Sequence, residues 1–252
     1  MSKGVIHKLW FSFFDRGEYK GGEPAYFDLN KIEWTKILNE NKESILNEFQ
    51  TVNADSYSPY FNHSVVNETH IWTTISLRFW TVNYYRNQKK YPVIMNVLNQ
   101  IPGLLTVSIN KLEAGGHIVP HNGDSNGFYR CHFGLDIPSG LPETGFKVLE
   151  ERREWKKGEL LVFCDANIHE AWNKSKIDRY ILVFDVIRPE FKNQKRKLVH
   201  VITASIFLQG LAEKIPLLYK LPLIIQGGIH FFARMCSIIY IPIRNFVAQL
   251  FA

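Results

Sequence analysis

The sequence predicts a mainly β protein, a sandwich or barrel with helices packed outside it and an apolar helical tail. Three observations predict it. From Leu104 onward, short apolar runs are separated by turn residues. Two upstream segments carry apolar residues near helical spacing. After Pro189 the chain turns basic and then strongly apolar.

In chain order, Leu29 to Phe49 reads as a helix, with Ile32, Trp34, Ile37, Leu38, Ile45, Leu46 and Phe49 recurring between charges. Asn53 to Glu68, with Tyr57, Pro59 and Asn62, reads as loop. Tyr91 to Ile101 reads as a second helix, stopped by Pro102-Gly103. Leu104 to Leu112 is a strand closed by the turn Ala114-Gly115-Gly116. Arg130 to Ile137 alternates, so Cys131, Phe133, Leu135 and Ile137 share one side, and Arg130, His132, Gly134 and Asp136 the other. Phe146 to Glu150 is a further strand, Trp155 to Glu159 a turn, and Leu160 to Cys164 and Tyr180 to Ile187 continuous apolar strands. These elements divide the chain into a flanking part (1–103), a core (104–191) and a tail (192–252).

Charge separates the tail from the rest. Residues 192–252 hold eight bases against the single acid Glu213, a charge of +7, which leaves −1 for the remainder of a chain whose net charge is +6. A nucleic-acid footprint needs a basic face on the folded body, so the balance argues against a nucleic-acid partner. A polybasic run (Lys192 to Lys197) beside apolar segments suits an anionic membrane surface. Pro216, Pro222, Pro242 and Gly227-Gly228 interrupt the apolar stretch, which predicts short interfacial helices or a re-entrant hairpin in preference to a clean span. The alternative is that these helices simply pack on the domain. Cys131, Cys164 and Cys236 form no CxxC pair, and Met1 to Gly21 has no long apolar run, so a reducing, cytoplasmic setting is expected, peripheral or monotopic on the membrane face.

The densest group of chemically capable residues is Pro120-His121-Asn122-Gly123-Asp124, followed by Arg130 and His132, then His169-Glu170-Ala171-Trp172 and Arg179. A lone histidine is more often structural than a ligand. Two of them at the edges of strands in one β region can meet across a barrel, although imidazole suits iron, zinc and copper alike. Cys131 and Cys164 read as buried small residues, His117 and His200 as hydrogen-bonded or surface histidines, and Trp155, Trp172 and Phe184 as core. Asp165 reads as a turn residue, and Asp185 as the acid that orients Arg179.

From Trp72 to Pro189 the chain resembles the aspartyl/asparaginyl β-hydroxylase family of 2-oxoglutarate dioxygenases. The resemblance rests on Phe79-Trp80, Pro102-Gly103, the run from Ala114 to Gly123, the run from Arg130 to Pro138, Trp155 with Gly158-Glu159, Val162 to Asp165, His169 to Asn173, and Arg179 to Pro189. In that order the motifs are specific; singly each is weak. The resemblance implies a double-stranded β-helix (jelly-roll, cupin-like) core and a hydroxylase using Fe(II), 2-oxoglutarate and O2. It implies His121 and His169 as the metal ligands and Arg179 as the partner of the cosubstrate's distal carboxylate. Arg130 and His132 match residues near its other carboxylate and the metal, and Asn110 stands where some members have a serine. Most dioxygenases of the wider class place an acid two residues after the first histidine. Here that residue is Gly123, a departure this family shares, and Asp124 is left as a substrate-side or supporting residue. The substrate is expected to be a small molecule or a membrane lipid acyl chain, with Asp/Asn side chains of a protein or a free amino acid as alternatives. A non-catalytic β-barrel binding module is the competing class. A two-histidine hydrolase or isomerase ranks last, having no use for Arg179 at this spacing.

Overall fold

The structure, a computed structural model, describes residues 8–15, 17–53, 56–60, 65, 66, 68 and 71–252. Asn62 and the chain before residue 8, with the expectations attached to them, lie outside the described residues. The helices are α1 (Ser12–Asp15), α2 (Thr35–Phe49), α3 (Tyr85–Lys90), α4 (Pro92–Leu98), α5 (Lys195–Lys214) and α6 (Leu223–Leu250). The strands are β1 (Ser58–Pro59), β2 (Trp72–Phe79), β3 (Val82–Asn83), β4 (Leu104–Leu112), β5 (His117–His121), β6 (Phe128–Asp136), β7 (Thr144–Val148), β8 (Glu151–Arg153), β9 (Leu160–Cys164), β10 (His169–Asn173) and β11 (Arg179–Ile187).

These strands form two antiparallel sheets, the double-stranded β-helix expected. The larger has seven strands, ordered β1-β2-β4-β11-β6-β9 with β3 on β2, and the smaller has four, ordered β5-β10-β7-β8. Period-2 alternation assigns the two faces of the larger sheet. Outward, Ile75, Leu77, Val107, Ile109, Cys131, Phe133, Leu182 and Phe184 form one core with Leu38, Ile45, Ile94 and Leu98 of α2 and α4. Inward, Thr74, Ser76, Ser108, Asn110, Arg130, His132, Arg179 and Asp185 line a cavity. Below it Leu112, Ile118, Phe146, Phe163 and Ile181 close the space between the sheets. The strand β2 was not anticipated. Its inward face is Thr, Ser and Arg, so its apolar contrast is low, and it brings residues of the expected flanking part into the sheet.

The tail corrects an expectation. Instead of short pieces, α6 is one helix of 28 residues through Gly227-Gly228 and Pro242. The two glycines fall in its first turns, where each costs about 1 kcal/mol relative to alanine without forcing a break. Pro242 forfeits its bond to the Ile238 carbonyl, but Ile241 is buried beside it and Asn245 is tied to the β2–β3 turn. The break falls earlier, at Pro216 and Pro222, around a short 3-10 helix (Pro216–Lys220). A third core joins Leu9, Phe11, Trp80 and Phe128 to Leu198, Val201 and Ile202 of α5.

Candidate active site

Antiparallel register explains how two histidines far apart in sequence meet. In the smaller sheet His169 of β10 stands directly opposite His121 of β5, and their ring centroids are 4.3 Å apart. Each Nδ1 lies 2.8 Å from a backbone carbonyl two residues upstream, that of Val119 for His121 and that of Asn167 for His169. A carbonyl only accepts, so both Nδ1 atoms carry the proton and both Nε2 atoms keep a lone pair. Burial pushes both imidazoles below their ordinary pKa, which keeps them neutral. Two neutral rings presenting Nε2 side by side, each fixed by a carbonyl, are the arrangement a divalent metal requires of histidine. Among the described residues no group of three or more His, Cys, Asp or Glu side chains converges to hold a metal.

At another wall of the cavity, Arg179 opens β11 and is 1% exposed. Its Nε and one terminal nitrogen are buried with no hydrogen-bond partner. Its guanidinium carbon lies 4.5 Å from the centroid of the Trp155 ring, and burial pushes its pKa down to about 9. A buried cation without an anion is costly, and a planar fork of this kind fits a carboxylate. His132 lies nearby. The indole Nε1–H of Trp155, 3.4 Å from His132 Nδ1, can only donate, so Nδ1 accepts and the proton of His132 sits on Nε2. Burial, then Arg179 and Arg130, hold this ring neutral. Asn110, 2% exposed, accepts from the Trp72 indole at 3.3 Å and donates to Ser108 Oγ at 2.8 Å.

Arg130 has the opposite surroundings. Register sets it against Asp185 on β11, whose carboxylate it grips through Nε at 2.9 Å and a terminal nitrogen at 3.1 Å. Its remaining nitrogen reaches Asp165 Oδ1 at 2.5 Å. Burial alone would lower this guanidinium, but Asp165 and Asp185 raise it well above its ordinary pKa. The expectation that Asp185 orients Arg179 is therefore corrected. The two are six residues apart on one strand, about 20 Å at 3.3 Å per residue, whereas Arg130 is the cross-strand neighbour. Asp185 also accepts from Thr106 Oγ1 at 2.6 Å.

Asp165 carries more than its turn suggested. Fully buried, it accepts from the Asp124 amide at 2.8 Å and lies 3.9 Å from His169 Nε2. A Cβ at Gly123 would overlap its carboxylate. The position where the wider class carries its acid thus has to be glycine here, because a carboxylate from the β9–β10 turn fills the space. Burial pushes Asp124 up to about 6. The one signal in the sequence that could have found Asp165 is its place four residues before His169, too weak alone to separate it from a turn residue. Glu170 pairs with His117 at 3.1 Å, on the far side of β10 from the cavity. His200 bonds Ser237 at 2.9 Å, and Cys131 and Cys164 are buried.

An ornithine lipid ester-linked acyl 2-hydroxylase of Rhizobium tropici is 29% identical over 68% of this chain and 63% of its own. An aspartyl/asparaginyl beta-hydroxylase of Mus musculus is 36% identical over 38% of this chain and 13% of its own. The chain thus spans less than two thirds of either relative. A prolyl-4-hydroxylase of Pseudomonas putida superposes with a TM-score of 0.40 at 13% identity, over 61% of this chain and 87% of that one. Residues 39–189, more than half of the chain, match the family model described as Aspartyl/Asparaginyl beta-hydroxylase, and the chain belongs to that hydroxylase family.

Proposed function

We propose that this protein is an iron(II)- and 2-oxoglutarate-dependent hydroxylase whose substrate is an acyl chain of a membrane lipid, reached at the cytoplasmic face through residues 192–252. The observation that carries the reading is the unpartnered Arg179 guanidinium, buried in the same cavity as two histidines that both present Nε2. The lipid substrate is supported by the similarity to the Rhizobium tropici ornithine lipid acyl 2-hydroxylase and by the basic, apolar tail.

The residues fit iron(II) and 2-oxoglutarate. His121 and His169 would hold the iron, and Arg179 would pair with the distal carboxylate of 2-oxoglutarate. His132 would donate its Nε2–H, and Asn110 an amide, to the cosubstrate's oxygens. When bound, iron and 2-oxoglutarate together with O2 supply the oxidation: one oxygen atom enters a C–H bond as hydroxyl, the other enters succinate, and carbon dioxide leaves. The rest is the protein's work. Val119 and Asn167 fix the two imidazoles in one tautomer. Arg130, bonded to Asp185 and paired with Asp165, holds those two side chains aligned beside the metal pocket. Phe146 and Phe163, packed against His169 at 6.0 and 5.1 Å, restrict water.

The test is succinate release from 2-oxoglutarate by the full chain with iron(II), ascorbate and O2, with and without membrane lipid extract, beside His169→Ala. Lipid-stimulated succinate and a hydroxylated acyl product, both lost in the variant, are expected. Lipid-independent but His169-dependent turnover would keep the dioxygenase and redirect the substrate to Asp/Asn side chains or a free amino acid. No turnover, with neither iron nor 2-oxoglutarate bound, would leave a non-catalytic binding module.

A further inference from the structure

By length and composition α6 is long and apolar enough to cross a bilayer, yet its attachments are incompatible with crossing. One stripe, His230, Ser237, Ile241 and Asn245, faces the protein at spacings of seven, four and four residues. His230 Nε2 lies 3.1 Å from Ser205 Oγ on α5, and its ring stacks on Phe13 of α1 at 4.5 Å. Ser237 bonds His200 of α5 at 2.9 Å. Near its other end, Asn245 donates to the Thr81 carbonyl and accepts from the Asn83 amide, both at 2.9 Å, and Arg244 bonds the Asn83 carbonyl. Residues 230 to 245 cover about 22 Å at 1.5 Å per residue, and this stretch is fastened to the catalytic body at both ends. The start of the helix, 223 to 229, is about 10 Å long, far short of the roughly 30 Å hydrocarbon core. Crossing would drag the β2–β3 turn, with Arg78, Asn83 and Lys89 around it, into hydrocarbon.

The opposite side of α6 is bare. Ile224, Phe231, Phe232, Ile239, Phe246 and Leu250 are each at least 62% exposed. The tail that carries this face holds eight bases against one acid, a balance complementary to anionic headgroups. The site cavity reaches this same region, its lining running along β2 to Arg78, Phe79 and Trp80 and on to Gln209 of α5. The turn that follows Phe79 is the one to which Asn245 is tied.

We infer that α5 and α6 form a monotopic docking face on which α6 lies flat in the interface of an anionic bilayer, setting the cavity end between Phe79 and Gln209 against the lipid. This orientation rests on the lipid-hydroxylase reading for its purpose, but its geometry is tested separately. In it an acyl chain enters sideways from the bilayer and need not be extracted into water.

The experiment uses the full chain with Cys236→Ser, leaving the buried Cys131 and Cys164, and single cysteines at Ile224, Ile239, Leu250 and Gly210. Gly210 is exposed with open space at its Cβ position. Each variant carries a nitroxide, and its depth is read by collision with oxygen and a nickel chelate on vesicles of equimolar phosphatidylglycerol and phosphatidylcholine. The expected result is a similar shallow depth, about 5–10 Å, at the three α6 positions and an interfacial position for Gly210. Binding should weaken at least about tenfold on pure phosphatidylcholine vesicles. A deep Ile239 between two shallow ends would show a span and overturn the inference. Labels left in water would also overturn it, as would α6 labels in lipid with Gly210 in bulk water. Succinate release measured on the same samples separates the two proposals: flat docking without lipid-stimulated turnover removes the lipid substrate and leaves the orientation standing.

Discussion

Two regions of one cavity each hold an arginine, one partly buried and one fully buried, and they are built in opposite ways. At the β6 side, Arg130 is answered by protein carboxylates, two of its nitrogens donating to Asp185 and the third forming an ion pair with Asp165. At the start of β11, Arg179 is more deeply buried, with two nitrogens unpartnered and an indole face as its main neighbour. A buried ion pair is finished structure, whereas a buried unpaired cation is tolerated only where a ligand completes it. Residue type and burial alone would assign both arginines the same role. The partners tell them apart: Arg130 organises the metal side of the cavity, and Arg179 waits for an anion.

Replacing each arginine by methionine should split activity from stability. Arg179→Met removes a buried charge that no protein anion answers, so its apo protein should melt at or above the wild-type temperature. Its loss should appear in the KM for 2-oxoglutarate, at about 2–5 kcal/mol for a truncated buried charge pair, or roughly thirty- to a few thousand-fold. Under anaerobic conditions with iron(II), 2-oxoglutarate at a hundred times its Kd should stabilise the wild type by about 2.7 kcal/mol and leave Arg179→Met unmoved. A variant that unfolds instead would show that Arg179 has an internal partner in solution and would break the comparison.

Arg130→Met should behave in the reverse sense. It strands two buried carboxylates, at about 3–5 kcal/mol of unfolding free energy, read by urea denaturation. Adding Asp165→Asn and Asp185→Asn should recover much of that loss, because the buried charges then leave together. If Arg130→Met is as stable as wild type, the ion pairs contribute nothing to the fold and Arg130 becomes available to the cosubstrate.

Gly123→Ala is a smaller perturbation at the same end. The new methyl overlaps the Asp165 carboxylate, and overpacking of this kind costs about 1–3 kcal/mol, measurable as a lower melting temperature. Gly123→Asp should not create a third metal-binding side chain, since its place is already filled. A Gly123→Asp protein that folds and binds iron more tightly would disprove that packing argument.

Much of this site was legible in the sequence, but the pairing within it was not. The histidine motifs, the alternation read over Arg130 to Ile137 (the strand itself ends at Asp136) and the position of Arg179 could all be read along one strand at a time. Register cannot be, because it is decided by the packing of two sheets. Asp185 therefore looked like a partner for Arg179 on its own strand and proved to be a partner for Arg130 across the ladder. Asp165 was hidden in a turn, where aspartate is common for local reasons. The β2 strand escaped because a cavity-facing surface of Thr and Ser weakens the apolar alternation. In the tail, Pro216 and Pro222 broke the helix as expected, while Pro242 did not, since side-chain bonds from the next turn hold α6 to the barrel.

The weakest link of the Arg179 side gives the finest test. Trp155 packs on Arg179 and donates to His132 Nδ1, so one side chain positions both groups expected to meet the cosubstrate. Trp155→Phe keeps a ring beneath the guanidinium and deletes only the donor, a change worth about 0.5–1.5 kcal/mol. The KM for 2-oxoglutarate should rise severalfold with kcat nearly unchanged, because the metal side and Arg130 are untouched. Without the indole proton, His132 is free to move its own proton to Nδ1, and nitrogen-15 spectra of the imidazole should show a mixture where the wild type shows the Nε2–H tautomer alone. A raised KM with an unchanged tautomer would assign the effect to the ring beneath Arg179; a shifted tautomer with an unchanged KM would remove His132 from the cosubstrate's contacts.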